Sequence, residues 1–135
     1  WRCRPLPRRP GVPGARAADV EIAKHVGGSS VDIVDPDMRF HTAIVDAIGS
    51  DRTSLAYRSL VSEVRLCMAQ VQGQRLVSVD SIHAEHERIL DRIEAGDADG
   101  AVEELRGHLE RAQERLVAAI SAPAGALRRA GDVGR

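Results

Sequence analysis

The sequence predicts an all-α fold, an antiparallel helical bundle, and three observations support this prediction. Aromatic residues make up only 2% of the 135 residues, so the core must consist of Leu, Ile, Val and Ala, as in helical bundles. Four segments carry apolar residues at helical spacing. Short turns marked by Gly, Ser and Asp separate these segments, as between antiparallel neighbours. Each segment therefore presents an apolar stripe that is stable only when another helix packs on it.

The predicted helices end near a glycine or proline, and three of them begin at a capping residue. In the first helix, Asp35 is the expected N-cap, Pro36 suits the first helical position and Gly49 ends the helix. The four expected ranges are Asp35–Ile48, Arg52–Gln72, Ser78 or Asp80 up to Gly96, and Asp97 or Asp99 to Ile120. The residues expected to face the core include Leu60 and Val64 in the second helix and Leu109 in the fourth.

The two ends of the chain are expected to be poorly ordered, with the bundle between them at residues 31–121. Residues 1–30 are rich in Arg and Pro, and their prolines and glycines oppose regular structure, although Ala17–His25 could form a short helix. Residues 122–135 follow the last helix and are expected to form a disordered tail.

The charge distribution argues against contact with nucleic acid. Five arginines precede Val20, at positions 2, 4, 8, 9 and 16. Removing these five from the 19 basic residues, and Asp19 from the 20 acidic ones, leaves 14 against 19, a net charge of −5. Such an acidic body repels a phosphate backbone, so no direct DNA contact is expected.

The sequence also gives no indication of a membrane or secreted protein. No apolar run approaches the roughly 20 residues that span a bilayer, and the Arg-rich start lacks the apolar region of a signal peptide. Cys3 and Cys67 form neither a CxxC motif nor a disulfide framework. A cytoplasmic location is therefore expected.

Four polar residues interrupt the apolar pattern of the predicted core. His86 and His108 fall on the stripes of the third and fourth helices, and His41 falls on the apolar side of the first. Asp37 precedes His41 by four residues, so one helical turn stacks the two side chains. Burying such groups without partners costs about 1–3 kcal/mol each. A divalent metal bound by the carboxylate and the neutral rings removes that cost.

Nitrogen and oxygen donors without thiolate suit Zn²⁺, Ni²⁺, Mn²⁺ or Fe²⁺. In the alternative interpretation, each histidine is an ordinary hydrogen-bonded core residue, and the chain is an interaction module with a purely structural core. His25 and His83 fit no stripe, and both are expected to be solvated.

No catalytic residue is predicted. The GxSxG, HExxH, P-loop and dinucleotide motifs are missing, as are the Glu-x-x-His pairs of di-iron bundles. The alternative from the enzyme class is a helical-bundle metallohydrolase, which needs a general base near the metal. Only Glu85 and Glu87 are candidates for that base, and both are expected to face outward.

Four short segments resemble the C-terminal effector domain of FadR-type GntR transcription regulators, the FCD domain. These segments are Asp37-Met38-Arg39-Phe40-His41 for its D-x-x-F-H motif, Glu85–Leu90 for E-H-x-x-I-L, Ile93–Asp97 with Ala101 for the A-x-x-x-G-D-x-x-x-A turn, and Arg106–Leu109 for R-x-H-L. Their order and spacing together are fairly specific, and the resemblance runs from about Asp32 to Ile120.

The resemblance implies one divalent transition metal on Asp37, His41, His86 and His108. It also implies a homodimer and a small effector (an organic acid, sugar acid or amino acid) that binds through its carboxylate and shifts the bundle. Arg65, on the flank of the second helix, is a candidate carboxylate partner, and a solvated arginine is the alternative. Nothing in the sequence resembles the family's winged helix-turn-helix, so the chain is expected to sense and dimerise without a DNA-binding domain of its own.

Overall fold

The computed structural model describes residues 11–29, 32–71 and 78–121, and helices dominate all three ranges. The helices are α1 (Pro13–Ala23), α2 (Val34–Asp46), α3 (Asp51–Val71), α4 (Val79–Glu94) and α5 (Ala98–Ser121). These ranges contain no strand, which confirms the all-α prediction. No helix in them is long and apolar enough to span a bilayer. The arginines at positions 2 to 9, Cys3 and the predicted tail at 122–135 lie outside the described residues.

The contacts between the five helices form a closed ring. Helix α1 packs on both α2 and α4, α2 continues onto α3, and α4 continues onto α5. Helices α3 and α5 also touch, over a smaller area. The antiparallel arrangement of the bundle stays a prediction.

Helix α1 corrects the sequence prediction, which placed residues 1–30 in a poorly ordered segment. Pro13 lies at the start of this helix, where its fixed φ fits and no backbone hydrogen bond is lost. Ala15, Ala18 and Ile22 are buried on one side of the helix at a spacing of three and four residues. The helix overlaps the short one that the sequence allowed at Ala17–His25 but begins four residues earlier, because a short period of small apolar residues outweighs the flanking prolines and glycines.

The core consists of two apolar clusters that share α1. The first joins α1, α2 and α4 through Ala15, Ala18, Phe40, Ile89 and Leu90. The second joins Ile22 of α1 to residues before α2 and in α4, namely Ile33, Val79 and Ile82. Both clusters hold α1 against α4, and this packing determines which polar residues of α1 become buried.

Most of the predicted helix ends are confirmed. Ser78 caps α4 by accepting a hydrogen bond from the Ser81 amide at 3.4 Å, and Asp97 caps α5 by accepting one from the Gly100 amide at 2.9 Å. Gly96 ends α4 with a φ of 73°, a left-handed conformation that favours glycine.

The predicted cap of the first long helix is wrong. Helix α2 begins at Val34, its N-cap is Ile33, and no side chain caps it. Asp35 is exposed within the first turn instead. The helix begins earlier because Ile33 and Val34 are both buried, so packing decides its start.

The predicted apolar stripes of α3 and α5 are buried only in part. Leu60 is 59% exposed, Val64 41% and Leu109 51%, although all three were expected to face the core. Other exposed apolar residues on these two helices are Leu55, Leu66, Val102, Val117 and Ile120. The expectation is wrong for these residues, because no other part of the described chain covers this side of α3 and α5.

Candidate metal centre

The structure brings together the four residues that the sequence selected. Asp37 and His41 come from α2, His86 from α4 and His108 from α5, and one potential ligand atom from each lies within 4.8 Å of all the others. The three histidines are buried. The i, i+4 spacing places Asp37 and His41 one turn apart on α2, and the contacts of α4 and α5 supply the other two rings.

The ligand atoms converge at distances that suit a single cation. His41 Nε2 lies 3.1 Å from His108 Nε2, His86 Nε2 lies 3.3 Å from Asp37 Oδ1, and His41 Nε2 lies 3.8 Å from Asp37 Oδ1. Ligands about 2.0–2.2 Å from one ion are separated by roughly 3–4 Å. Asp37 Oδ1 and His86 Nε2 are buried and have no hydrogen-bond partner. The four residues therefore fit a divalent metal.

Two of the histidine rings face carboxylates on the side away from this centre. His108 Nδ1 lies 2.6 Å from Glu85 Oε2, and His86 Nδ1 lies 3.4 Å from Asp19 Oδ1. A carboxylate at Nδ1 favours the tautomer with the proton there, which leaves the Nε2 lone pair free for a metal.

Glu85 is buried, so the expectation that it faces outward is wrong. Besides His108, its carboxylate accepts a hydrogen bond from Arg111 Nε at 2.7 Å and lies 3.9 Å from Arg115 Nη2. His108, Arg111 and Arg115 follow each other at helical spacing along α5, and this spacing is the sequence signal for their shared carboxylate.

Phe40 fixes the orientation of the His86 ring. The two rings stack in parallel, with centroids 3.6 Å apart and an interplanar angle of 1°. Phe40 is fully buried, so it cannot turn aside without leaving a cavity.

The pKa shifts favour a neutral ring at His41 and His108 beside an ionised Asp37. Burial lowers the pKa of His41 to about 4, although the Asp37 charge opposes this shift. Burial also lowers the pKa of His108 against the opposing effect of Glu85. For Asp37, burial raises the pKa. Contact with His86 and the electrostatic interaction with His41 oppose this effect and hold the pKa of the carboxyl below its usual value.

His86 behaves differently, because it lies between two carboxylates. Burial disfavours its charged form, but contacts with Asp19 and Asp37 raise its pKa above the usual value. In the absence of a metal, this ring is therefore the one in the centre that most readily carries a proton.

Two further residues of the sequence prediction lie elsewhere. Arg65 forms an ion pair at the surface with Asp35, at 3.1 Å. His83 was expected to be solvated, but it is half-buried and its Nδ1 lies 3.1 Å from Asp19 Oδ2. Sequence reasoning missed Asp19 because it treated the start of the chain as disordered.

Tyr57 of α3 lies close enough to the centre to interact electrostatically with Asp37. Burial, together with the negative charge of Asp37, raises the pKa of Tyr57 to about 12. The hydroxyl of this half-buried residue therefore stays protonated, as a hydrogen-bond donor, throughout the physiological range.

The fold and the site define a helical domain whose core presents a cluster of polar ligand atoms, a feature of ligand-binding modules as well as of metal-binding ones. The family model of the FCD domain matches residues 15–111. The chain therefore belongs to the FCD family, the effector-binding domain of GntR-type transcription regulators, as the sequence resemblance predicted. FCD domains belong to transcription regulators and not to enzymes.

The match begins at residue 15, inside α1 and well before residue 31, in agreement with the burial of that helix. No curated protein and no solved structure gives a significant match to this chain.

Proposed function

We propose that this chain is a metal-containing domain that senses a small carboxylate and dimerises, within a GntR-type regulator acting in the cytoplasm. Membership of the FCD family supports effector binding. The observation that carries the metal is the convergence of Asp37, His41, His86 and His108 within 4.8 Å, with two buried ligand atoms lacking any hydrogen-bond partner.

In this proposal Asp37, His41, His86 and His108 hold one divalent transition metal, which is Zn²⁺, Ni²⁺, Mn²⁺ or Fe²⁺. The bound ion supplies a Lewis acid to which a carboxylate can coordinate. Neutral His41 and His108 and ionised Asp37 suit this task, because a metal binds deprotonated ligands. Glu85 orients the His108 ring from outside, and Asp19 lies 3.4 Å beyond the His86 ring.

The effector that we propose is a small organic acid, sugar acid or amino acid. Arg115 supports this choice, because its side chain is only 23% exposed, lies on α5 two turns from His108, and has a buried Nε without a hydrogen-bond partner. Arg65 remains a proposed carboxylate partner: its surface pair with Asp35 is weak enough to exchange for a ligand. The Tyr57 hydroxyl is a further donor on the α3 side.

Dimerisation is supported by the exposed apolar residues of α3 and α5. Soluble monomers rarely expose extended apolar surface without a partner for it. In a dimer, a shift of the helices around the effector would change how the two subunits pack against each other. An effector that binds one subunit arrangement more tightly than the other would raise the population of that arrangement.

Elemental analysis of the purified chain, after dialysis against metal-free buffer, tests the metal proposal. We expect one transition metal per chain in the wild type, none in His86→Ala, and the wild-type content in His25→Ala. The last variant is the matched control, because His25 is not among the potential metal ligands. A folded wild type without metal, or equal metal in His86→Ala, would contradict the proposal.

The effector is tested by isothermal titration of the metal-loaded chain with a panel of carboxylic acids. Binding should require the metal and weaken when Arg115 is replaced by Gln. If no member of the panel binds, the metal has a structural role only.

A further inference from the structure

A second group of ligand atoms lies at the contact between α1 and α4. Asp19 of α1 and His83 and Glu87 of α4 each place one potential ligand atom within 4.8 Å of the other two. His83 and Glu87 are four residues apart, so one turn of α4 presents both on the same side. We call these three residues the α1–α4 cluster.

Asp19 has the character of a ligand without its ion. Its side chain is only 1% exposed, and neither carboxylate oxygen has a hydrogen-bond partner. His83 Nδ1 is also buried and unpartnered, although Asp19 Oδ2 lies only 3.1 Å away. A cation between the two atoms would give both of them a partner, as a metal does for ligands in adjacent positions.

The charge around the cluster also favours a cation. Arg16 is the basic residue there, and it is shared among Glu87 at 2.6 Å, Glu94 at 2.8 Å and Asp91 at 3.7 Å. Arg16 contacts one oxygen of Glu87, so the second oxygen of that carboxylate remains available. Neither oxygen of Asp19 is hydrogen-bonded to this guanidinium, and a buried carboxylate is costly unless a cation or donor compensates it.

We propose that Asp19, His83 and Glu87 form a second divalent-cation site that joins α1 to α4. One imidazole and two carboxylates suit Zn²⁺, Mn²⁺ or Fe²⁺. Three protein ligands and the half-exposed positions of His83 and Glu87 leave part of the coordination sphere to solvent, so this site binds more weakly than the four-residue centre. The inference depends on the geometry of the cluster and is independent of effector sensing.

Asp19 links the two sites. Its Oδ1 lies 3.4 Å from His86 Nδ1, and its Oδ2 faces His83. A cation in the α1–α4 cluster would therefore compete with the His86 ring for the charge of the same carboxylate. We expect filling of one site to change the affinity of the other.

Equilibrium dialysis of the full chain against increasing free Zn²⁺, with metal content measured by elemental analysis, tests the proposal. The wild type should bind two equivalents in two steps, and His83→Gln should lose the weaker one. His41→Gln should lose the tighter step and keep the weaker. His25→Gln, a matched change outside both groups, should bind as the wild type does.

Circular dichroism establishes that each variant is folded. If His83→Gln loses helix content, Glu87→Gln, at a half-exposed position, takes its place and must lose the same equivalent. A folded variant of the α1–α4 cluster that binds as much Zn²⁺ as the wild type at saturation overturns the proposal, whether or not the four-residue centre is filled.

Discussion

Glu85 shows how a single side chain outside the proposed ligand set can control it. Its carboxylate is held by Arg111 and contacts the outer nitrogen of His108 at 2.6 Å. Contact with Arg111 and His108 keeps the pKa of Glu85 below its usual value, despite the opposing effect of burial. The residue is therefore ionised and fixed in place, as a carboxylate that orients a metal-binding histidine must be.

We expect Glu85→Gln to weaken metal binding by about 10–100-fold, the usual effect of losing such an orienting group. Glutamine keeps the shape but removes the charge that stabilises the Nδ1 proton of His108. Competition with a chromophoric chelator measures the Zn²⁺ affinity. Glu103→Gln, at an exposed position on α5, is the control, and equal affinities of the two variants would show that Glu85 has no such role.

His41 should make the metal-free protein less stable in acid. Its pKa is about 4 in the folded state against 6.5 ordinarily, so between these values the unfolded chain binds more protons. The free energy of unfolding therefore falls as pH drops through this interval, by about 3 kcal/mol from this group. His86, whose pKa is raised, acts in the opposite direction, because its contribution is present at low pH and is lost as pH rises through its folded-state pKa.

The contribution of His41 to the free energy of unfolding is measured by comparing the wild type with a His41 variant. Urea unfolding of the wild type and of His41→Asn is compared between pH 7 and pH 4 in the presence of a chelator. The stability gap between the two proteins should change by about 3 kcal/mol, whereas the gap between the wild type and His25→Asn should stay constant. If the free energies of unfolding of the wild type and His41→Asn vary with pH in parallel, the pKa of His41 is not lowered in the folded protein.

At this scale the sequence predicted the four central residues, because three are histidines on apolar stripes and Asp37 lies one helical turn before His41. Glu85 and Asp19 do not stand out in this way. Glu85 lies next to the apolar stripe of α4. At such a position the sequence looks the same whether the carboxylate is solvated or contacts a neighbouring helix. Only the packing of α5 on α4 and of α1 on α4 decides between the two.

At the scale of elements, α1 depends on small residues. Ala15 is fully buried against α2 and α4, and Gly14 lies so close to Ala43 that an added Cβ would be 3.1 Å from its methyl group. Helices that approach this closely cannot accommodate a larger side chain without moving apart.

Replacing Ala15 by Leu should therefore destabilise the protein by about 1–3 kcal/mol through overpacking. Ala17→Leu is the matched control, since Ala17 lies on the same helix and is exposed. Denaturant unfolding gives both free energies. If Ala15→Leu lowers the free energy of unfolding no more than Ala17→Leu does, α1 does not pack as described.

The four longer helices were predictable because each combines a long apolar period with clear end signals, such as Ser78 and Gly96. Helix α1 was not, since it has only 11 residues and its buried side is mostly alanine. Alanine carries little hydrophobic signal, and its burial becomes visible only once Phe40 and Leu90 are in place around it.

At the scale of the whole molecule, the exposed side of α3 and α5 is the feature that a single chain leaves unexplained. The sequence predicted that these stripes face a core, and for Leu60 this is wrong within one chain. Periodicity identifies an apolar face but does not say whether its partner belongs to the same subunit. The proposed homodimer supplies such a partner.

If α3 lies in the dimer interface, Leu60→Glu should convert the dimer to a monomer, because burying an unpaired carboxylate at an interface is costly. Ser59→Glu, at the neighbouring exposed position, should leave the dimer intact. Sedimentation velocity distinguishes the two states. A dimeric Leu60→Glu protein would place the interface elsewhere.

The proposed ligands also lie at uneven intervals along the chain. His41 and His86 are 45 residues apart, and α3 occupies the stretch between them without contributing a ligand. An ion at the centre would therefore tie together the two ends of a long loop, and because the unfolded chain has no such site, its binding free energy would add to the stability of the folded state. Amide hydrogen exchange should slow in α2, α4 and α5 when metal is added, and it should change less in α3, which contributes no ligand.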